Sequence, residues 1–166
     1  MESTVSRSSL KDIDCSIARS LSVLGEWWTL LILRNVFHGM RNFDALQAHL
    51  EMSSSVLSTR LRQLTDAGIL QKRKSGTDGR SYEYKLTERG FDLYPVLVAL
   101  MQWGEKWAPN GRGLRVELVE KATGEPIGGS VVVSKDGHPL TPWDVSVIAG
   151  PGADEKIRTL VNHGSS

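Results

Sequence analysis

Apolar positions along the chain recur at helical spacing, then alternate, then return to helical spacing. Ile17, Leu21 and Leu24 lie four and three residues apart, which predicts a helix from about Ile13 to Leu24 stopped by Gly25. Trp27, Leu30, Leu31, Leu33, Val36 and Phe37 then cover most of a second helix, Trp27 to His38, ended by Gly39. A helix apolar nearly all round is a central, buried one. Arg41 and Asn42 read as a short extended or turn segment. Asp44 to Leu50 forms a short third helix, with Phe43, Leu46 and Leu50 inward, followed by a polar break at Glu51-Met52-Ser53. A fourth helix runs to about Ala67, with Leu57, Leu61 and Leu64 on one face. Ser53 or Ser54 caps its start with a hydroxyl, and Gly68 takes the left-handed position after its end.

After Gly68 the pattern turns extended. Residues 69–74 and 81–86 are two strand-like runs around the Gly/Asp-rich segment Ser75 to Arg80, which reads as a β-hairpin. Thr87 opens a last helix to about Trp107, and Pro95 inside it demands a kink or break near Tyr94. After the first helix, the order helix, helix, helix, hairpin, helix, with a tight turn before the third of these core helices, is that of a winged helix-turn-helix, assigned here to residues 13–108. Residues 1–12 are Ser-rich and without period, which predicts disorder. Residues 109–166 change composition. Leu114–Val119 and Val131–Val133 look like strands, and a helix is expected from Asp154 to Val161. The expected fold is therefore mainly α with a β-hairpin wing, plus a small β-rich C-terminal appendage with a flexible end.

Charge sharpens this picture locally rather than globally. The net charge is only +1, but Arg60 to Arg89 holds eight Lys/Arg against four acids, a local +4. That suits a single nucleic-acid-contacting face, and equally a solvated hairpin. With 40% hydrophobic and 23% charged residues the chain is of ordinary globular composition, neither disordered nor fibrous. One cysteine excludes an intrachain disulfide framework and a cysteine-based zinc site. The N-terminus lacks the apolar region of a secretory signal, and the longest apolar stretch, Trp27 to Phe37, is too short to span a bilayer. A cytoplasmic protein without membrane contact is expected.

Candidate chemistry lies on the fourth helix and the hairpin. With the leucines inward, Ser54, Ser55, Ser58, Thr59 and Arg62 project outward. Small hydroxyls permit close approach to a major groove, and Arg62 can reach a phosphate or a guanine edge. Lys72, Lys74 and Arg80 of the hairpin are suited to the adjacent backbone or minor groove, with Arg41 a further DNA-binding candidate, so that phosphate contacts set register while the helix reads bases. No nucleophile motif, phosphate-cradling glycine loop or paired metal ligands point to an enzyme. His38, His49, His138 and His163 show no metal-ligand spacing, and neither a metal nor a cofactor is expected.

The pieces Cys15-Ser16-Ile17-Ala18-Arg19, Gly25 to Arg34 (GEWWTLLILR), Arg41 to Leu46 (RNFDAL), Leu57 to Leu64 (LSTRLRQL), Gly68-Ile69-Leu70 and Tyr84 to Gly90 (YKLTERG) closely resemble the HxlR family of bacterial winged-helix regulators. The likeness covers roughly residues 13–107 in unbroken order. It implies double-stranded DNA as partner and a homodimer joined by the first and last helices of the core. The dimer would place two recognition helices in successive major grooves of a roughly palindromic promoter site, most often as a repressor. The family usually has a Cys-Pro pair where Cys15 is followed here by Ser16. Some members carry a C-terminal zinc-ribbon-like extension, and Ser134 to Leu140 keeps such a turn without its cysteines, so a metal-free appendage is expected.

Other readings stay open. Cys15, with Arg19 one helical turn on, is a candidate redox or electrophile sensor, as its equivalent is in some family members, or else a small residue buried at the dimer interface. Trp27, Trp28, Trp103 and Trp107 are candidates for an effector pocket, or else core and interface. A winged-helix protein-interaction adaptor without DNA binding is the alternative function, against which the basic hairpin, Arg41 and Arg62 count.

Overall fold

The computed structural model describes residues 13–75 and 81–163. Arg80, within 76–80, and the segment 1–12, expected to be disordered, lie outside the described residues. The chain divides into two compact units, one ending at Met101 and one beginning at Gln102.

The first unit is a winged helix-turn-helix. Helices α1 (Ser16–Leu24), α2 (Trp27–Phe37), α3 (Phe43–Leu50) and α4 (Ser54–Asp66) precede strands β1 (Leu70–Ser75) and β2 (Ser81–Leu86). A single turn, α5 (Glu88–Phe91), and the longer α6 (Tyr94–Trp107) follow, α6 continuing into the second unit. One core holds the first unit together. Ile32, Leu33 and Val36 of α2, Leu46 and Leu50 of α3, Leu57, Leu61 and Leu64 of α4, and Ile69, Leu70 and Tyr84 of the hairpin are all buried against one another.

Several boundaries depart from the periodicity, each for a local reason. The first helix starts at Ser16 rather than Ile13, because Cys15 is extended (φ −143°) and serves as its N-cap. Its apolar residues do not share one buried face. Ala18 is buried and Val23 and Leu24 pack on the core, whereas Ile17 and Leu21 are exposed. Helix α2 is central, but Trp27 at its start is 75% exposed and Ile32 takes the innermost place. The break between α3 and α4 is not wholly polar, since Met52 is buried and pins the turn to the core. Glu51, at φ 51°, is the one non-glycine in the left-handed region among the described residues, and it makes the turn tight. Ser53 rather than Ser54 caps α4, its Oγ accepting from the Val56 N–H at 3.4 Å.

The exit from α4 is fixed with care. The Ile69 N–H reaches the Leu64 carbonyl and the Gly68 N–H the Thr65 carbonyl, both at 2.9 Å, with Gly68 at φ 67°. This is the paired closure that a left-handed residue after a helix permits. Residues from farther along the chain then lock it. Thr87 Oγ1 donates to the Gly68 carbonyl at 2.6 Å, and the Arg89 guanidinium to the Ala67 carbonyl at 2.7 Å. Gly90 packs so closely that a Cβ there would stand 2.4 Å from the Ile69 carbonyl oxygen, so no side chain fits. The last helix is interrupted after Phe91, as Pro95 demands. Placed in the first turn of α6, Pro95 need not donate a hydrogen bond.

In the second unit the two expected strand runs shrink to isolated bridges, Val119–Pro126 and Val133–Pro139. Both partners are prolines, which lack the N–H needed to continue a ladder. A 3-10 turn, Pro142–Asp144, is closed by Thr141 and Asp144 capping each other, and a helix, α7, spans Glu155–His163.

Candidate nucleic-acid interface

Helix α4 has two unlike faces. Leu57, Leu61 and Leu64 are buried, and Ser54, Ser58 and Arg62 follow one another at four-residue steps along the exposed side. Ser55 and Thr59 form the adjoining stripe, where the Thr59 hydroxyl donates to the Ser55 carbonyl at 2.9 Å and keeps its oxygen free to accept. Among the described residues, the Arg62 guanidinium and the Lys74 ammonium have no hydrogen-bond or ion-pair partner.

The hairpin places its cations by register. Leu70, Lys72 and Lys74 alternate onto one face of β1, opposite Leu86, Tyr84 and Tyr82 of β2. The root of this face, Leu70 and Tyr84, is buried in the core, and its outer part carries Lys72 and Lys74 into solvent. Lys72 Nζ sits 4.2 Å from the Tyr82 ring centre, a cation–π contact that orients the lysine. Arg41 adjoins the same sheet, because the Tyr84 N–H bonds the Arg41 carbonyl at 2.7 Å and Asn42 bridges to Glu83. Glu83 is held below the ordinary carboxylate range first by the Ser75 hydroxyl, then by Lys85 and Arg41.

An open groove of about 640 Å³ runs between these elements. Ser58, Arg62 and Thr65 of α4 line one side and Lys72, Tyr82 and Tyr84 of the hairpin the other. Asp44 and Asp66 also reach it, so the groove is mixed in charge. The residues singled out from sequence thus come together as Ser58, Arg62 and Lys72 on one groove. Ser54, Ser55 and Thr59 continue the α4 surface, and Arg41 and Lys74 flank it. Tyr82, Tyr84 and Thr65 were not anticipated. The signal for the tyrosines was the hairpin register, which pairs each with a lysine.

Part of the local +4 serves the fold instead. Arg60 forms an ion pair with Glu26, the N-cap of α2, and bonds Gln63 at 3.0 Å, its side chain only 11% exposed. Lys85 pairs with Glu83 at 3.2 Å, and Arg89 caps α4. Arg73 lies on the opposite hairpin face and bonds Gln71.

The remaining candidates are placed as follows. Cys15 is exposed at the start of α1, where the backbone N–H groups of Ala18 and then Ile17, helped by Arg19, pull its thiol below its ordinary pKa. Arg19 itself bonds Asp14 at 3.1 Å and Ser16 at 2.9 Å. Trp28 packs on the core, whereas Trp27, Trp103 and Trp107 are exposed. No tryptophan lines the groove between α4 and the hairpin, or a second groove beside α1 formed by Ser16, Arg19, Leu24, Ile69, Arg89 and Leu93. Among the described residues no helix is long and apolar enough to cross a membrane, and no group of three or more His, Cys, Asp or Glu gathers as a metal site.

Comparison with known proteins agrees with this geometry. An uncharacterized HTH-type transcriptional regulator of Mycobacterium tuberculosis is 37% identical over 142 residues, 86% of this chain and 90% of that one. The crystal structure of PA1607, described as a candidate transcription factor, superposes with a TM-score of 0.75 at 37% identity, covering 84% of this chain and 97% of that one. The redox regulator HypR in its reduced form is similar at 25% identity and a TM-score of 0.52, over 55% of this chain and 92% of its own. The family model for the HxlR-like helix-turn-helix matches residues 23–112, and the chain belongs to that family of DNA-binding transcriptional regulators.

Proposed function

We propose that the protein is a homodimeric repressor acting in the cytoplasm on a roughly palindromic promoter site. The observation that carries this reading is Arg62, without an ion-pair partner among the described residues, outward on α4 beside Ser58 and across a groove from Lys72. Helix α4 enters the major groove with Ser54, Ser55, Ser58 and Thr59 close to the base edges, and Arg62 reads a base. Lys72, Lys74 and Arg41, with Arg80 beyond the described residues, hold phosphates. Dimerisation through α1 and α6 is supported by the exposed Ile17 and Leu21 on one helix and Val96 and Leu100 on the other. Two-fold symmetry then sets half-site centres about 34 Å apart, or a multiple of that. Fluorescence anisotropy against the protein's own upstream promoter and a scrambled duplex, over a salt series, tests it. Strong preference for the promoter with a steep salt slope supports the regulator. Equal, weak binding to both favours the interaction adaptor.

A second reading concerns the signal. The exposed Cys15 thiol, acidified by the start of α1, makes the cysteine a sensor of oxidants or electrophiles at the edge of the dimer seam. Unchanged promoter affinity after alkylation or mild peroxide treatment would refute it.

A further inference from the structure

The second unit has turns, bridges and a helix but no interior. Not one of residues 102–161 is buried, whereas the first unit has a single dense core. Its backbone is nevertheless fixed. Glu120 and Gly124 close a turn at 2.8 Å, Leu140 bonds the Val132 carbonyl at 2.8 Å, and the Gln102 amide receives the Ser130 N–H at 2.9 Å. Ordering a backbone costs about 1–2 kcal/mol per residue, which hydrogen bonds exchanged with water do not offset. Apolar burial must do so, and here it is left undone. Trp143 is 95% and Ile148 82% exposed, with Val131, Val132 and Val147 also open to solvent. Exposed apolar surface on this scale marks an interaction face.

Two observations favour a second copy of the chain as what covers it. A match of 142 residues cannot fit within the first 101, so the M. tuberculosis relative has much of this unit, and it contains little else, since 90% of its length is matched. PA1607 is matched over 97% of its chain. In both relatives the unit is joined to a counterpart of the winged unit with little else in the chain. In addition, α6 passes without interruption from the winged unit, where Val96 and Leu100 are exposed, into the second unit. The unit thus grows directly out of a helix assigned to the dimer seam.

We propose that residues 102–163 form an arm that packs on a second copy of the chain, which covers Val131, Val132, Trp143, Val147 and Ile148. The inference rests on the homodimer reading above. Two-fold symmetry makes the exchange reciprocal, so each copy both gives and receives an arm.

The test uses the full chain. Natural-abundance and 15N-labelled protein are mixed, allowed to exchange, and treated with an amine-reactive diazirine cross-linker, and the links read are those anchored on Lys121, Lys135 and Lys156, with Lys106 left out because it shares α6 with residues of its own winged unit. Peptides joining the arm to residues 13–101 should carry both isotopes as often as one. Arm cross-links of a single isotope, in protein that sediments as a dimer, overturn the arm and leave the dimer standing. Sedimentation as a monomer overturns both. Independently, Trp143→Ser should raise the dimer dissociation constant about 30-fold with an unchanged circular dichroism spectrum. A change under about 3-fold overturns the proposal.

Discussion

Arg60 and Arg62 stand two residues apart on α4 and do opposite work. Arg60 turns toward the body of the protein, pairs with Glu26 at the head of α2, and fixes how the helix sits. Arg62 faces the open groove and, among the described residues, has no hydrogen-bond or ion-pair partner. The inner face of α4 makes the fold and the outer face is left for a partner. Residue type does not separate them; the 3.6-residue turn and the neighbours do.

That contrast can be broken at several places. Leu61→Ala on the inner face should lower stability by about 2–5 kcal/mol, read by denaturant melting, because it empties a fully buried site. Arg62→Ala on the outer face should leave the melt unchanged and cost about 1–3 kcal/mol of promoter affinity, with little effect on a random duplex. Equal loss on both duplexes would reassign Arg62 to a phosphate. Arg60→Met should do the reverse, destabilising by about 1–2 kcal/mol while keeping the ratio of specific to random binding. Lys74→Ala should weaken all sequences alike and reduce the slope of log affinity against log salt by about 1. The smallest effect belongs to Glu83. Its folded pKa lies below the ordinary 4.5, so what it contributes is complete above that pH and fades as the pH falls through the folded value. Glu83→Gln should therefore flatten the acid limb of the stability curve slightly.

The leucine spacing of α4, the Gly68 exit and the hairpin were all legible, since each follows from period or backbone freedom. So was the break before α6, because proline acts locally. The fate of charges was not. Arg60, Lys85 and Arg89 belonged to the same basic count as Arg62 and Lys72, and only tertiary neighbours, residues 26 and 67 among them, show that they serve the fold. Met52 looked like part of a polar break because one apolar residue has no period. The strands expected beyond residue 109 ignored Pro126 and Pro139 as their partners, which sequence alternation within one run cannot reveal.

The lock on the end of α4 has a consequence for motion. Thr87 and Arg89 bond carbonyls 19 and 22 residues earlier in the chain. The last turn of α4 therefore cannot fray by itself, as most helix ends do. It opens only when the hairpin lets go of α5, so helix end, wing and α5 form one cooperative foldon. The amide hydrogens of Gly68, Ile69 and Phe91 should then exchange with solvent at one common opening free energy, and promoter DNA held across helix and wing should slow all of them together.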